Sequence, residues 1–220
     1  MAAKVHPNVA VPPLGQLPAA AAAAPAGEEP VALTVWRKSL LFNCRGFTVF
    51  DARGNLVYRV DSYASDSRAE VVLMDAAGRP VLTVRRRKVI GLGADQWLVF
   101  PGEETRRAPP LYALKRAGAA AQYVRGSGAK CMAHVAPCSG AGAGAGGEGY
   151  EVEGSYLRRC CTVYDARRRA VAEVQPKEAV GTDVFRLVVQ PGMEVSLAMA
   201  VVLALDQMFG KPSLLRSWSS

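Results

Sequence analysis

Hydrophobic and polar residues alternate along short segments from Val31 onward, which is the pattern of strands that bury one face. The segment at residues 31–36 reads VALTVW, and β-favouring runs of similar length follow it, separated by turn residues. Such spacing predicts an antiparallel sheet rather than alternating strands and helices. The predicted strands are residues 31–36, 47–50, 55–60, 70–74, 79–84, 96–100, 111–115, 129–135, 150–154, 161–164, 169–174 and 184–189.

One hairpin design occurs three times. The turns read DARG at residues 51–54, DAAG at 75–78 and DARR at 165–168, each between two strand-like runs. The aspartate side chain can accept hydrogen bonds from the turn backbone, and a glycine at the last position can adopt the left-handed conformation. Arg168 replaces that glycine in the third copy, so its turn is predicted to be less ideal. The copies indicate a meandering antiparallel sheet, with spacing too irregular for a propeller or solenoid.

The C-terminal segment is a predicted helix of a different kind. Residues 193–209 read MEVSLAMAVVLALDQMF, and Gly210 and Pro212 end the pattern. Between Val195 and Leu205 the only polar residue is Ser196. A helix that is apolar on every side is either buried or spans a membrane, and a run this short favours burial, since a span needs about 20 apolar residues. A sheet with one apolar face would bury this helix by closing around it.

Composition divides the chain. It has 220 residues, half of them hydrophobic, but residues 1–30 and 117–149 hold much of the excess alanine, glycine and proline. We therefore predict a disordered tail at 1–30, because its apolar stretch is broken by proline and does not suit a signal peptide. A transit peptide is the weaker alternative, because the tail lacks arginine. A single domain spans 31–210, with a flexible Gly/Ala-rich loop within 117–149, and a second tail at 211–220.

Charge is concentrated in one quarter of the chain. The net charge is +8, and residues 79–130 carry 11 Lys and Arg against 3 Asp and Glu, while the remainder is balanced. This distribution indicates an anionic partner, which leaves nucleic acid, a membrane surface and phosphorylated lipid open. The densest run is Arg85, Arg86, Arg87 and Lys88; the nearby Arg106, Arg107, Lys115 and Arg116 can extend it. Clustered arginines bind phosphate with two parallel hydrogen bonds.

No motif indicates catalysis. The two histidines, His6 and His134, belong to no triad, and neither a nucleophile elbow nor a phosphate-binding glycine loop occurs. Five cysteines without a secretory signal argue against a disulfide framework. Cys131, His134 and Cys138 offer three ligands where zinc usually takes four, so no metal is expected. We predict a non-enzymatic protein without a cofactor.

Several segments, in order, resemble the plant LURP-one-related proteins, of the tubby-like C-terminal superfamily that includes phospholipid scramblases. They are LTVWRKSL at 33–40, GFTVFD at 46–51, YRVDSY at 58–63, LMDAAGRP at 73–80, TVRRRK at 83–88, Trp97, VEGSYL at 152–157, Arg159 with Cys160, and Leu205 with Asp206. The resemblance covers residues 31–210. It implies a mainly β fold: a closed antiparallel barrel of about twelve strands around the apolar C-terminal helix. Residues 90–94 and the Gly/Ala-rich loop depart from the family pattern.

The resemblance also implies a function. Tubby domains bind phosphoinositides, so we expect a peripheral membrane or signalling module associated with plant defence. The candidate anion- or lipid-binding residues are Arg85, Arg86, Arg87, Lys88, Arg106 and Arg107. We expect a cytoplasmic protein that attaches peripherally to the plasma membrane, without a transmembrane span. The alternative is a nucleic-acid- or transcription-associated module in the nucleus; a scramblase-like activity would require the helix to leave the core.

Overall fold

The computed structural model describes residues 29–37, 46–61, 70–88, 95–103, 108–118, 131–138, 149–177 and 181–210. The predictions for the two tails, for most of the Gly/Ala-rich loop and for Arg106 and Arg107 lie outside these residues.

Twelve antiparallel strands form a closed barrel in which each strand pairs with its chain neighbours and β1 pairs with β12. The predicted barrel is therefore confirmed. Strand β8 runs further than predicted, because its pairing with β7 continues to Pro137; residues 129 and 130 of the predicted strand lie outside the described residues. The strands are β1 Val31–Trp36, β2 Gly46–Phe50, β3 Leu56–Asp61, β4 Glu70–Asp75, β5 Pro80–Arg87, β6 Gln96–Pro101, β7 Tyr112–Arg116, β8 Cys131–Pro137, β9 Tyr150–Ser155, β10 Cys160–Tyr164, β11 Ala170–Pro176 and β12 Val184–Val189.

The centre of the core is α1 Val195–Phe209, the one helix in the described part of the chain, and the inward faces of the strands enclose it. Ten consecutive residues of α1, from Ser196 to Leu205, are buried, which accounts for an apolar surface on every side of the helix. The strands contribute alternate residues such as Val49, Val84 and Val99, each fully buried. Among the described residues, no helix is long and apolar enough to cross a membrane.

The three repeated turns have the predicted geometry. Gly54 and Gly78 have φ of +85° and +84°, and Arg168 takes the same left-handed position with φ of 62°. Hydrogen bonds from the Asn55 side chain and backbone hold the pKa of Asp51 below its ordinary value. The turn of Arg168 is retained because its guanidinium Nη1 donates to Glu153 Oε1 at 2.8 Å and the guanidinium lies over the Tyr164 ring.

The barrel has two chemically different ends. The repeated turn at 165–168 leads into β11, and the start of β11 pairs with the end of β12. Because α1 follows β12 in the chain, the repeated turns lie at the end of the barrel where α1 begins. The opposite end holds the C-terminus of α1, the end of β5 and the start of β6, and we call it the mouth. The predicted basic run reaches the mouth because it forms the last residues of β5.

Candidate anion-binding site at the barrel mouth

Strand β5 divides the basic run, because successive residues of a strand point to opposite faces. Arg85 faces outward, where its Nε donates to Glu70 Oε2 at 3.0 Å and its guanidinium lies 5.4 Å from the centre of the Phe100 ring. This ion pair neutralises Arg85 within the wall of the barrel. Arg85 therefore contributes less to an exposed positive surface than the sequence predicted.

Arg86 faces the inside of the barrel at the mouth. It pairs in register with Trp97, its guanidinium lies 5.6 Å from the centre of that ring, and its Nε donates to Asp95 Oδ2 at 2.8 Å. The side chain still exposes 39% of its surface. Arg86 thus covers an aromatic residue of the core while keeping part of its guanidinium at the surface.

Arg87 and Lys88 are exposed at the end of β5, and neither forms an ion pair with any other described residue. Arg87 pairs in register with Gln96, and Gln96 pairs with Lys115 on β7. Because neighbouring strands lie about 4.8 Å apart, Arg87 and Lys115 are about 10 Å apart along this outer row. The exposed cations of two strands therefore lie on one arc of the mouth.

Arg116 completes this arc from the inner face of β7. Its guanidinium lies 4.8 Å from the centre of the Phe209 ring at the end of α1, and no described carboxylate forms an ion pair with it. We call the arc the basic rim: Arg86, Arg87, Lys88, Lys115 and Arg116. Within the described ranges, one carboxylate, that of Asp95, forms an ion pair with a member of the basic rim.

Arg106 and Arg107 lie outside the described residues. The described ends of the β6–β7 connection, Gly102 and Leu111, hydrogen-bond to the backbone of Val81 and Val99. Val81 is at the start of β5, at the opposite end of that strand from Arg87. The strand ends that flank Arg106 and Arg107 therefore lie at the opposite end of the barrel from the basic run. The structure instead places Lys115 and Arg116 of β7 beside it.

A cavity of about 250 Å³ opens inside the basic rim, and we call it the mouth pocket. Trp97 Nε1 donates to Gln207 Oε1 at 2.8 Å, which joins β6 to the last turn of α1. The other amide atom, Gln207 Nε2, is buried and has no hydrogen-bond partner among the described residues. The pocket is lined by Arg86, Asp95, Trp97, Arg116, Gln207 and Met208.

The other side of the mouth is closed by a paired network. Asp206 accepts a hydrogen bond from Tyr156 Oη at 3.1 Å and forms an ion pair with Arg37 Nε at 2.9 Å. Burial, with Asp206 adding to it, raises the pKa of Tyr156 well above its usual range, so its hydroxyl remains a donor. Arg159 lies between the rings of Tyr156 and Phe185, at 4.3 and 4.4 Å from their centres. Arg37 and Asp206 compensate each other, whereas Arg159 donates from Nε to the carbonyl oxygen of Thr182 at 2.8 Å and its buried Nη1 has no hydrogen-bond partner among the described residues.

Cys160 and Cys161 lie on opposite faces of the barrel wall. Cys160 is exposed and Cys161 is buried, as adjacent strand residues must be, and burial raises the pKa of the Cys161 thiol to about 12. Cys131 Sγ lies 3.7 Å from His134 Nε2 on β8, with Cys138 directly after that strand. Within the described ranges, no group of three or more His, Cys, Asp or Glu residues is placed to hold a metal ion.

Sequence reasoning missed the aromatic and amide residues of the mouth. Trp97 and Gln207 are 110 residues apart, and their contact depends on the helix being threaded through the closed barrel. Asp95 precedes β6 by a single residue, but only the β5–β6 register places it beside Arg86. One feature of the sequence could have indicated these residues: the polar end of the helix, where Asp206 and Gln207 follow an apolar run.

Comparison with known proteins agrees with this architecture. A family model described as LURP-one-related matches residues 31–206. Protein LURP-one-related 8 of Arabidopsis thaliana is 44% identical over 187 residues, covering 81% of this chain and 87% of that protein. Protein LURP-one-related 17 of the same plant is 38% identical over 201 residues, covering 86% and 87%.

An X-ray structure of a protein from Arabidopsis thaliana has a similar fold, with a TM-score of 0.59 and 25% sequence identity. The similarity covers 82% of this chain and 92% of that one. The family match, the relatives and the twelve-stranded barrel around one helix agree with one another. The chain belongs to the LURP-one-related family, a plant protein family.

Proposed function

We propose that this protein is a non-enzymatic module that attaches peripherally to anionic phospholipid, phosphoinositides included, through the basic rim. The observation that carries the proposal is the convergence of five cationic side chains at the ends of β5 and β7 on one arc of the mouth, where Asp95 is the only described carboxylate that forms an ion pair with any of them. Its setting, as the resemblance implies, is plant defence signalling at the cytoplasmic face of the plasma membrane.

The size of the effect supports attachment without insertion. A basic residue close to an anionic leaflet contributes about 1 kcal/mol, so the five cations less one carboxylate contribute about 4 kcal/mol. That is enough for reversible binding and too little for permanent anchoring. The interaction is screened by salt, since the side chains are exposed.

Nucleic acid fits the mouth less well. Proteins that bind single strands offer aromatic faces for stacking beside the cations. Here Trp97 is buried with Arg86 over its ring, and Arg116 lies over Phe209. These rings are covered by the cations, so the basic rim offers charge without a stacking surface.

Flotation with phosphatidylserine or phosphoinositide vesicles tests the proposal through the variant Arg87→Gln/Lys88→Gln/Lys115→Gln. Losing three charges costs about 3 kcal/mol, so we expect partitioning to fall about 100-fold relative to wild type. Neutral phosphatidylcholine vesicles should bind neither protein. These three side chains are exposed and form no ion pair with other described residues, so the fold should be unaffected.

The matched control is Arg53→Gln/Arg79→Gln/Arg167→Gln, which removes the same charge from the three repeated turns at the opposite end. It should float like wild type. Equal flotation of both triple variants, or no flotation of wild type, refutes the proposal. A gel shift of wild type on random DNA without vesicle binding would favour the nucleic-acid alternative instead.

A further inference from the structure

The thiol of Cys131 lies beside an imidazole on the outer wall of the barrel. His134 points outward between the buried residues Ala133 and Val135, and its Nε2 is 3.7 Å from Cys131 Sγ, within reach of a hydrogen bond to sulfur. A register shift in β8 between Cys131 and Ala133 lets side chains three residues apart share one face. The sulfur is also 3.7 Å from the carbonyl oxygen of Ala133. A carbonyl only accepts a hydrogen bond, whereas an imidazole can take the proton from the thiol.

A carboxylate on the neighbouring strand favours the imidazole tautomer that this proton transfer requires. Glu151 pairs in register with His134, and its Oε1 lies 3.9 Å from His134 Nδ1. At that distance the contact is electrostatic rather than a hydrogen bond, and it favours a proton on Nδ1. Nε2 then carries the lone pair that faces the sulfur of Cys131. Nucleophile, base and carboxylate thus follow in the order that activates a thiol.

The described charges that face this pair come from β7, β9 and the turn before β11. Glu151 and Glu153 of β9 both accept hydrogen bonds from Arg168 Nη1, and Glu153 pairs in register with Cys131. Lys115 of β7 lies opposite the imidazole in register. These groups bring two positive and two negative charges. The adjacent imidazolium is therefore the group that stabilises the thiolate once the proton has moved.

Two of the other described cysteines are less suited to reaction. Burial raises the pKa of the Cys161 thiol to about 12, and it also raises the pKa of Cys138. Cys138 follows β8 at its other end, so it is about 23 Å along the strand from Cys131. Cys160 is the most exposed of the four, but it lies on β10. Accessibility therefore favours reaction at Cys160, and local chemistry favours reaction at Cys131.

The spacing of the strands keeps Cys160 from forming a disulfide with Cys131. Register places the two residues two strands apart and two residues out of line, so their Cα atoms are about 12 Å apart. A disulfide requires a Cα separation below about 7 Å. Cys161 faces the interior of the barrel, where its sulfur contacts Met132. An adduct formed at Cys131 therefore persists until an external thiol removes it.

We propose that Cys131 is a modification site that forms a mixed disulfide with small disulfides by thiol–disulfide exchange. The Cys131 thiolate attacks one sulfur of the small disulfide, so a new S–S bond forms as the old one breaks. The other half leaves as a thiolate and takes the proton held by His134. The small disulfide is the oxidant and is reduced to one thiol and one protein-bound half. This stoichiometric reaction goes beyond the membrane attachment proposed above, and neither depends on the other.

Bis(2-hydroxyethyl) disulfide is a suitable probe because it is small and uncharged. Mass spectrometry of peptides after timed exposure at pH 6 gives the rate of exchange at each cysteine. At pH 6, a thiol with a pKa two units below the ordinary value is about 75-fold more ionised and about eightfold less nucleophilic, a net gain of about tenfold. We expect Cys131 to react faster than the more exposed Cys160, and dithiothreitol to reverse the reaction.

The variant His134→Asn tests the role of the imidazole. It should lower the rate at Cys131 about tenfold, because the thiol loses its base. The rates at Cys138 and Cys160 should stay unchanged in the same protein. Those two rates, together with an unreactive Cys161, report that the fold is intact, since unfolding would expose the buried thiol.

The variant Glu151→Gln tests the role of the carboxylate. It should lower the rate at Cys131 about threefold, because the imidazole loses its preference for a proton on Nδ1. The matched control is Glu173→Gln, the same change on β11, where the carboxylate accepts a hydrogen bond from Gln175. That variant should react like wild type.

Three results would overturn the proposal: faster exchange at Cys160 than at Cys131 in wild type, an unchanged rate at Cys131 in His134→Asn, or equal losses in Glu151→Gln and Glu173→Gln. Vesicle flotation is a separate measurement that uses none of these variants. Membrane attachment and thiol modification can therefore fail independently.

Discussion

Val202→Asp is expected to cause the largest loss of stability, about 6 kcal/mol of the free energy of unfolding. Val202 is 1% exposed in the middle of α1, surrounded by the barrel. An aspartate there must stay protonated, and raising its pKa by about 3 units to remain neutral at pH 7 costs about 4 kcal/mol. Lost apolar burial adds about 2 kcal/mol. The sum, about 6 kcal/mol, is more than half of the roughly 10 kcal/mol at the middle of the range for an ordinary domain, so a large fall in melting temperature is expected.

Circular dichroism with thermal melting measures this effect. Val31→Asp is the matched control, since Val31 is 39% exposed on β1 and should tolerate the same substitution at a cost of about 1 kcal/mol or less. A Val202→Asp protein that melts like wild type would show that the helix is not the core of the barrel.

Gly154→Ala is expected to produce the second largest loss of stability. Gly154 lies in β9 opposite Cys161, with φ of +110°. A Cβ there would lie 2.2 Å from the carbonyl oxygen of Cys160, which is backbone and cannot move aside cheaply. Strained backbone and the clash together should cost about 4 kcal/mol.

Two further glycines separate the causes of that loss. Gly192 has φ of +95° with open space around its Cβ position, so Gly192→Ala should show the backbone cost alone, about 1–3 kcal/mol. Gly118 has open space and no positive φ, so Gly118→Ala should be close to neutral. Equal free energies of unfolding for the Gly154 and Gly118 variants would contradict the close approach of β9 to β10.

The sequence predicted the barrel well because each of its signals was local. Alternation located the strands, the Asp-Ala turns located three hairpins, and the apolar run between Val195 and Leu205 required enclosure. The third turn was predicted to be less ideal because Arg168 occupies a position that favours glycine, yet Arg168 adopts the same left-handed conformation there, with φ of 62°. The sequence did not predict the ion pair that holds Arg168, because its partner Glu153 lies on another strand, β9, 15 residues earlier in the chain.

The arrangement of side chains at the mouth was predicted less completely, because it depends on the register between strands and on where each strand ends. Residues 85–88 look uniform in sequence, yet Arg85 pairs with Glu70 while Lys88 lies beyond the strand. The mouth pocket depends on the contact between Trp97 and Gln207, which no local pattern reports. The candidate roles of Arg106 and Arg107 stay predictions, since those residues lie outside the described part of the chain.

The central claim is that the mouth, rather than the end with the repeated turns, faces an anionic membrane. Amide line broadening by a gadolinium-chelating lipid in phosphatidylserine-containing bicelles measures which end is close to the surface. We expect strong broadening at Lys88, Lys115 and Gly118 and none at Ala52 or Ala166, with no effect from uncharged bicelles. Broadening centred on the repeated turns, or equal broadening at both ends, would contradict it.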